Sequence, residues 1–193
     1  MRALYQDYPE AKKQISSNGR ERRLQSNIFK LDAFHDSKEK DDFGIYGVIK
    51  NKRIIKYINN KYIDTDFNNN INSYKVILPK SNGSGSLGEV LSTPLIGYTY
   101  TFIGIGKFGD KFAVESILKY VKSKFARVML GILKITQDNT PEKWKLVPLQ
   151  DFTSNSDIDW TKSIPEIDQQ LYKKYNLSEE EINFIETKVQ AMD

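Results

Sequence analysis

The chain has no cysteine and a single histidine, His35. Without thiols it can form no disulfide, no thiolate nucleophile and no thiolate metal site. One histidine also removes histidine-rich zinc centres and most proton-relay schemes, so a metal would need carboxylates and would be a hard ion such as magnesium. His35 itself reads as an ordinary loop or strand-end residue. Nowhere do about 18 apolar residues run together, and no apolar segment follows the N-terminus, so neither a membrane span nor a signal peptide is expected. The missing cysteines fit a cytoplasmic address.

What is present is charge, unevenly spread. The 193 residues suffice for one core plus an appendage. Up to Ile135 there are 23 Lys+Arg against 13 Asp+Glu, a net +10; from Thr136 onward there are 6 against 12, a net −6. The basic part is the candidate anion binder, since a field of that sign attracts polyphosphate and gives sequence-independent affinity for nucleic acid.

Strand patterns come first along the chain and helical patterns later. After the Arg-rich stretch SSNGRERR (16–23), NIFKL (27–31) reads as a short strand. FGIYGVIKNKRIIKYI (43–58) alternates β-branched and aromatic residues on both sides of Lys50-Asn51-Lys52, the mark of a hairpin. The Asn-rich stretch around 59–73 reads as a surface loop. YKVILP (74–79) and GYTYTFIGIGKF (97–108) alternate again and read as strands. From Asp110, a plausible N-cap, apolar residues recur at three and four from Val114 to Ile132, which predicts one long amphipathic helix or two stacked end to end. Opposite that stripe fall Lys119, Ser123, Arg127 and Lys134. Ser163, ahead of Pro165, and Ser178 with Glu181 mark the starts of two C-terminal helices.

Two glycine patterns invite a nucleotide or cofactor reading. Gly83, Gly85, Gly88 and Val90 spell G-x-G-x-x-G-x-V, but no downstream lysine strand, H-R-D or D-F-G follows; the only Asp-Phe-Gly, at 42–44, precedes the loop. A dinucleotide loop should open a helix, and EVLSTPLIG has no helical period. A Walker loop needs Lys and Ser or Thr after Gly88, where Glu89 and Val90 stand. What survives is a turn rich in backbone N–H groups and hydroxyls, suited to close approach to a polar surface. Phe102, Gly104 and Gly106 spell F-x-G-x-G, an arrangement that binds S-adenosylmethionine in methyltransferases. No two of the six prolines are adjacent, so the Pro-Pro-aromatic partner of that motif is missing, and glycines that let a strand kink or pack closely are the simpler reading. The acid-x-Lys triplets Glu10-Ala11-Lys12, Asp36-Ser37-Lys38 and Glu186-Thr187-Lys188 are expected by chance in so charged a chain.

Longer phrases carry a resemblance. KSNGSGSLGEVLSTPLIG (80–97), YVKSKFARVMLGILKITQDNTPEKWKLVPLQDFTSNSDIDW (120–160) and LYKKYNLSEEEINFIE (171–186) resemble the C-terminal portion of bacterial restriction–modification enzymes that carry an adenine-specific DNA methyltransferase and fuse cutting and methylation in one chain. The resemblance is strongest from about Tyr74 onward and looser over NGRERRLQSNIF (18–29). It implies a type II target-recognition (specificity) domain. In that family the methyltransferase core lies upstream, and S-adenosylmethionine and magnesium serve the parent enzyme.

The sequence thus predicts an α+β fold, with a mixed or antiparallel sheet, one long amphipathic helical region and a C-terminal helical pair. Residues 1–150 are expected to form a DNA target-recognition domain and 151–193 an acidic helical tail. The expected function is sequence-specific binding of double-stranded DNA beside the methyltransferase and nuclease domains of a parent enzyme, with no catalytic residue, metal or cofactor of its own and no membrane contact. A catalytic fragment, either an S-adenosylmethionine-binding methyltransferase or a magnesium endonuclease, is the alternative. Phosphate contacts are expected from Arg20, Arg22, Arg23, Lys107, Lys119, Arg127 and Lys134, and base contacts from Lys80, Ser81, Asn82, Ser84 and Ser86. Trp144, Trp160 and the tail tyrosines are expected in the core.

Overall fold

The computed structural model describes residues 2–14, 24–25, 27–66, 68–81, 91–93, 96–133 and 138–192. By backbone proximity the chain divides into two compact units, 1–77 with 93–107, and 78–92 with 108–193. Helices, beginning with the short α1 (Arg2–Asp7) and α2 (Ala11–Gln14), and a mixed sheet together make the fold α+β.

In the first unit the alternating run folds as expected into a hairpin. Strands β1 (Asp42–Ile49) and β2 (Lys52–Asn59) pair antiparallel from Asp42↔Asn59 to Ile49↔Lys52. The turn is the two residues Lys50 and Asn51, with φ of 48° and 63°. Positive φ at both positions is what a type I′ turn requires, and that turn matches the right-handed twist of the strands. Paired positions share a face, so Phe43, Ile45 and Ile49 point with Ile54 and Ile58 into one core with Leu4, Ile28, Phe29, Phe34, Tyr62 and Ile71. Burying each such side chain contributes roughly 1.5–3 kcal/mol. Gly47 leaves room for the Phe29 ring: a Cβ there would stand 2.3 Å from it.

NIFKL does not form a strand. Residues Ile28–Lys30 make a 3-10 turn. The reason is packing: Ile28 and Phe29 are both buried, and alternation would have put one of them in water. The C-terminal alternating run is two strands rather than one, β5 (Ile96–Tyr98) and β6 (Phe102–Phe108), with the chain turning at Thr99–Thr101, where Phe102 N–H donates to the Thr99 carbonyl. β5 pairs parallel with β1, so the first sheet, β2-β1-β5, is mixed. In a second sheet β3 (Tyr74–Pro79) lies between β4 (Leu91–Thr93) and β6.

In the second unit the long helical pattern resolves into α3 (Lys111–Lys122) and α4 (Lys124–Leu133). Asp110 caps α3 by accepting from Ala113 N–H at 2.8 Å. Ser123 separates the two helices. Its backbone is extended (φ −58°, ψ 147°), its N–H closes α3 onto the Lys119 and Tyr120 carbonyls, and its hydroxyl accepts from Ala126 N–H at the start of α4. Helices α5 (Ile164–Lys174) and α6 (Glu179–Lys188) begin with the capping boxes Ser163/Glu166 and Ser178/Glu181. Tyr120, Phe125, Trp160, Ile167, Leu171, Tyr172 and Ile185 form the shared core, so the 151–193 tail and the α3–α4 helices are one packed body. Among the described residues no helix is long and apolar enough to cross a membrane.

Candidate nucleic-acid interface

Arg20, Arg22, Arg23, Asn82, Ser84, Ser86 and Lys134 lie outside the described residues. The other expected contacts divide between the two units, Lys107 in the first and Lys80, Ser81, Lys119 and Arg127 in the second.

At the mouth of the glycine-rich loop, Lys80 and Ser81 are held from one side. Buried Asn139 donates its backbone N–H to the Lys80 carbonyl at 2.7 Å and its side-chain amide to the Pro79 carbonyl at 3.0 Å. Ser81, which is exposed, forms an isolated antiparallel bridge with Asp138. Lys80 and Ser81 are therefore tied to Asp138 and Asn139. Lys107, near the end of β6, is exposed.

Two residues of the helical face expected to meet phosphates, Lys119 and Arg127, have partners within the second unit. Lys119 Nζ donates to the carbonyls of Trp160 (2.8 Å), Thr161 (3.3 Å) and Lys162 (2.8 Å), which engages all three of its protons just ahead of α5. Arg127 is 7% exposed and donates to the Gln190 carbonyl. Burial lowers its pKa from the ordinary value, and Asp168 partly opposes that shift. Both cations are bound to backbone carbonyls within the second unit. The helical wheel gave no sign of this because the acceptors, at 160–162 and at 190, come from the distant C-terminal part of the chain.

Asp168 explains that break. Its buried carboxylate, carried by α5, accepts from the N–H groups of Lys124 (3.0 Å) and Phe125 (2.9 Å), the first of α4. Burial raises its pKa, and the two backbone bonds oppose the shift. Lys124 in turn pairs with Glu186, whose pKa the ammonium lowers, and Tyr172 donates to the same carboxylate at 3.0 Å.

The glycines of F-x-G-x-G have packing reasons of their own. A Cβ on Gly104 would stand 2.6 Å from the Tyr98 hydroxyl and 2.8 Å from its ring, and Gly106 has φ of 89°. Phe102 is buried, its ring 4.6 Å from that of Tyr46. None of the acid-x-Lys triplets lies on a strand. His35 meets the buried Asp42 at 2.6 Å while its backbone bridges Tyr57, so it fastens the strand end where β1 starts. Trp160 is a core residue, with its indole N–H on the Asp151 carbonyl.

Divided by unit, charge is less polarised than along the sequence, but it keeps the same sign pattern. The first carries 16 Lys+Arg against 10 Asp+Glu, net +6, and the second 13 against 15, net −2. In the first unit Lys13, Lys30, Lys38, Lys40, Lys50 and Lys52 are exposed, with no acidic partner among the described residues. In the second, Lys111, Lys124 and Lys174 pair with Glu115, Glu186 and Asp157, while Lys145, Lys162, Lys173 and Lys188 are exposed without an ion pair among the described residues. Lys50 and Lys52, flanking Asn51 at the hairpin turn, are candidates that were not among the expected contacts. The Lys-Asn-Lys signal was visible, but it served only to mark the turn. Comparison of the chain with protein-family models, with curated proteins and with solved structures found no match.

Proposed function

We propose that the chain is the DNA target-recognition module of a restriction–modification adenine-specific DNA methyltransferase, gripping duplex DNA while another domain supplies the chemistry. The observation that carries this reading is the distribution of charge: a first unit of net +6, in which Lys13, Lys30, Lys38, Lys40, Lys50 and Lys52 are exposed with no acidic partner among the described residues, and a second unit of net −2. Unpaired exposed ammonium groups are what a phosphate backbone recruits, and they make affinity fall steeply with salt. The resemblance of 80–97, 120–160 and 171–186 to the recognition region of those enzymes supplies the biological setting. In this reading the first unit faces the duplex, and the more acidic second unit carries the contacts to the catalytic domain.

The test is titration of a random-sequence duplex between about 50 and 200 mM salt, followed by selection from a randomised duplex library. A straight log–log loss of affinity with salt and an enriched motif containing adenine are expected. No binding at the lowest salt would overturn the proposal. Restored site-specific methylation on adding the chain to a methyltransferase core that lacks its recognition region would tie the binding to that enzyme class.

A further inference from the structure

The geometry points to the β1–β2 hairpin as the element that enters the major groove of the duplex, with Lys50 and Lys52 on phosphates and Asn51 on a base edge. This rests on the DNA-binding function proposed above and assigns it a reading element.

The hairpin outruns its sheet. β5 pairs with β1 only at Gly44, Ile45 and Tyr46, whereas β1 and β2 continue through Gly47↔Ile54, Val48↔Arg53 and Ile49↔Lys52. Those last three rungs are a two-stranded ribbon about 10 Å long at 3.3–3.4 Å per residue, resting on the core through Ile49 and Ile54, with Lys50, Asn51 and Lys52 exposed at its end. A two-stranded ribbon is one of the two protein elements that the major groove of B-form DNA admits.

The ribbon is firm at its base and narrow at its tip. Phe29 packs against Gly47, and Ile45 below it has no solvent exposure. At the other end the two-residue turn leaves no slack loop, so little conformational entropy is lost when the tip is bound. Lys50, Asn51 and Lys52 are all exposed.

Two lysines farther from the tip are paired with acids. Lys56 pairs with Asp36 at 3.1 Å, and Lys61, just past β2, pairs with Asp7 at 3.0 Å. Lys50 and Lys52 have no acidic partner, and the Asn51 amide has no hydrogen-bond partner, among the described residues. Two cations flanking an uncommitted amide place phosphate contacts on either side of a group that matches the donor–acceptor pair of adenine. A-form RNA offers no equivalent, because its major groove is too deep and narrow for side chains to read.

The experiment uses the full chain and a variant in which the hairpin survives but its ligands are gone: Lys50→Asn, Asn51→Gly and Lys52→Thr. Asn-Gly is the pair best suited to this turn, and threonine suits a strand. A second variant, Lys50→Gln with Lys52→Gln, leaves the turn residue Asn51 in place. At about 0.9 in slope per phosphate contact, each variant should flatten the salt dependence of random-duplex binding by about two, equivalent to about a sixtyfold loss at 0.1 M relative to 1 M salt. Asn51→Gly alone should leave the slope unchanged and remove one adenine position from the motif selected out of a randomised library. Coincident titrations of wild type and both variants would overturn the hairpin assignment while leaving the DNA reading intact. A wild type that binds no duplex DNA, or that prefers duplex RNA or anionic phosphatidylserine vesicles, would overturn both.

Discussion

Replacing Lys75 with methionine is expected to stabilise the fold at neutral pH and to erase a rise in stability that the natural chain shows in alkali. Lys75 sits on β3 with no solvent exposure, and its ammonium donates at 2.8 Å to the Ser73 carbonyl. Burial lowers its pKa from 10.5 to about 8, because surroundings of low dielectric constant disfavour the charged form. With the folded pKa depressed, the folded state binds fewer protons than the unfolded state between about 8 and 10.5, so unfolding free energy climbs with pH across that window. At about 1.4 kcal/mol per pH unit the climb amounts to about 3 kcal/mol, complete above the unfolded pKa and lost as pH falls through the folded one. Methionine carries no such penalty at pH 7 and forgoes the Ser73 hydrogen bond, worth about 1 kcal/mol, leaving a net gain of about 2 kcal/mol. Urea unfolding of both proteins from about pH 7 to about pH 10.5 measures the difference. The methionine variant should lead at neutral pH and lose its advantage across the window. Tyr120 and Tyr172, whose phenols burial pushes up, titrate in both proteins and drop out of the comparison. A difference that stays constant across the window would refute the reasoning.

Three further substitutions test the packing and the corrected site. Gly47→Ala puts a Cβ 2.3 Å from the Phe29 ring and 2.9 Å from Thr99 Cγ2 and should cost about 1–3 kcal/mol, so an unchanged thermal midpoint would argue against that close approach. Asp168→Ala removes the acceptor for two backbone N–H groups of α4 and should lower unfolding free energy by about 2–4 kcal/mol; a loss within about 0.5 kcal/mol would show the cap to be dispensable. Arg127→Ala should leave the salt slope of DNA binding untouched while lowering stability by about 1.5–3 kcal/mol, since its guanidinium donates to the Gln190 carbonyl. A flatter slope with an unshifted midpoint would return Arg127 to the phosphate contacts.

Local rules were legible wherever the chain's neighbours in sequence are also its partners. The hairpin around Lys50 and Asn51, the Asp110 cap and both C-terminal helix starts at Ser163 and Ser178 formed where the residues called for them, because each depends on contacts within a few positions. The break at Ser123 was not legible. Val121 and Phe125 keep helical spacing across it, and the group that holds α4 as a separate helix, Asp168, comes 43 and 44 residues after the N–H groups it binds. Lys119 and Arg127 were lost for the same reason: their acceptors, at 160–162 and at 190, belong to the tail. The 3-10 turn at Ile28–Lys30 follows from two adjacent buried side chains, a requirement of the core that no local alternation announces.

That same long-range engagement decides where a polyanion can be held. Counted along the sequence, the basic region runs to Ile135; once α3 and α4 pack with the tail, their lysines and arginine join a unit with more acids than bases. Lys124 pairs with Glu186, Lys119 binds three carbonyls, and the first turn of α6 presents Glu179, Glu180 and Glu181. A cation already paired or bound to carbonyls releases no counterion when phosphate arrives and adds little to a salt-dependent affinity. In the proposed reading the positive field offered to a duplex comes chiefly from the first unit, where Lys13, Lys30, Lys38, Lys40, Lys50 and Lys52 are exposed without an ion pair among the described residues. A binding element must combine that field with a shape that reaches base edges, and of the described parts of that unit the hairpin meets both conditions.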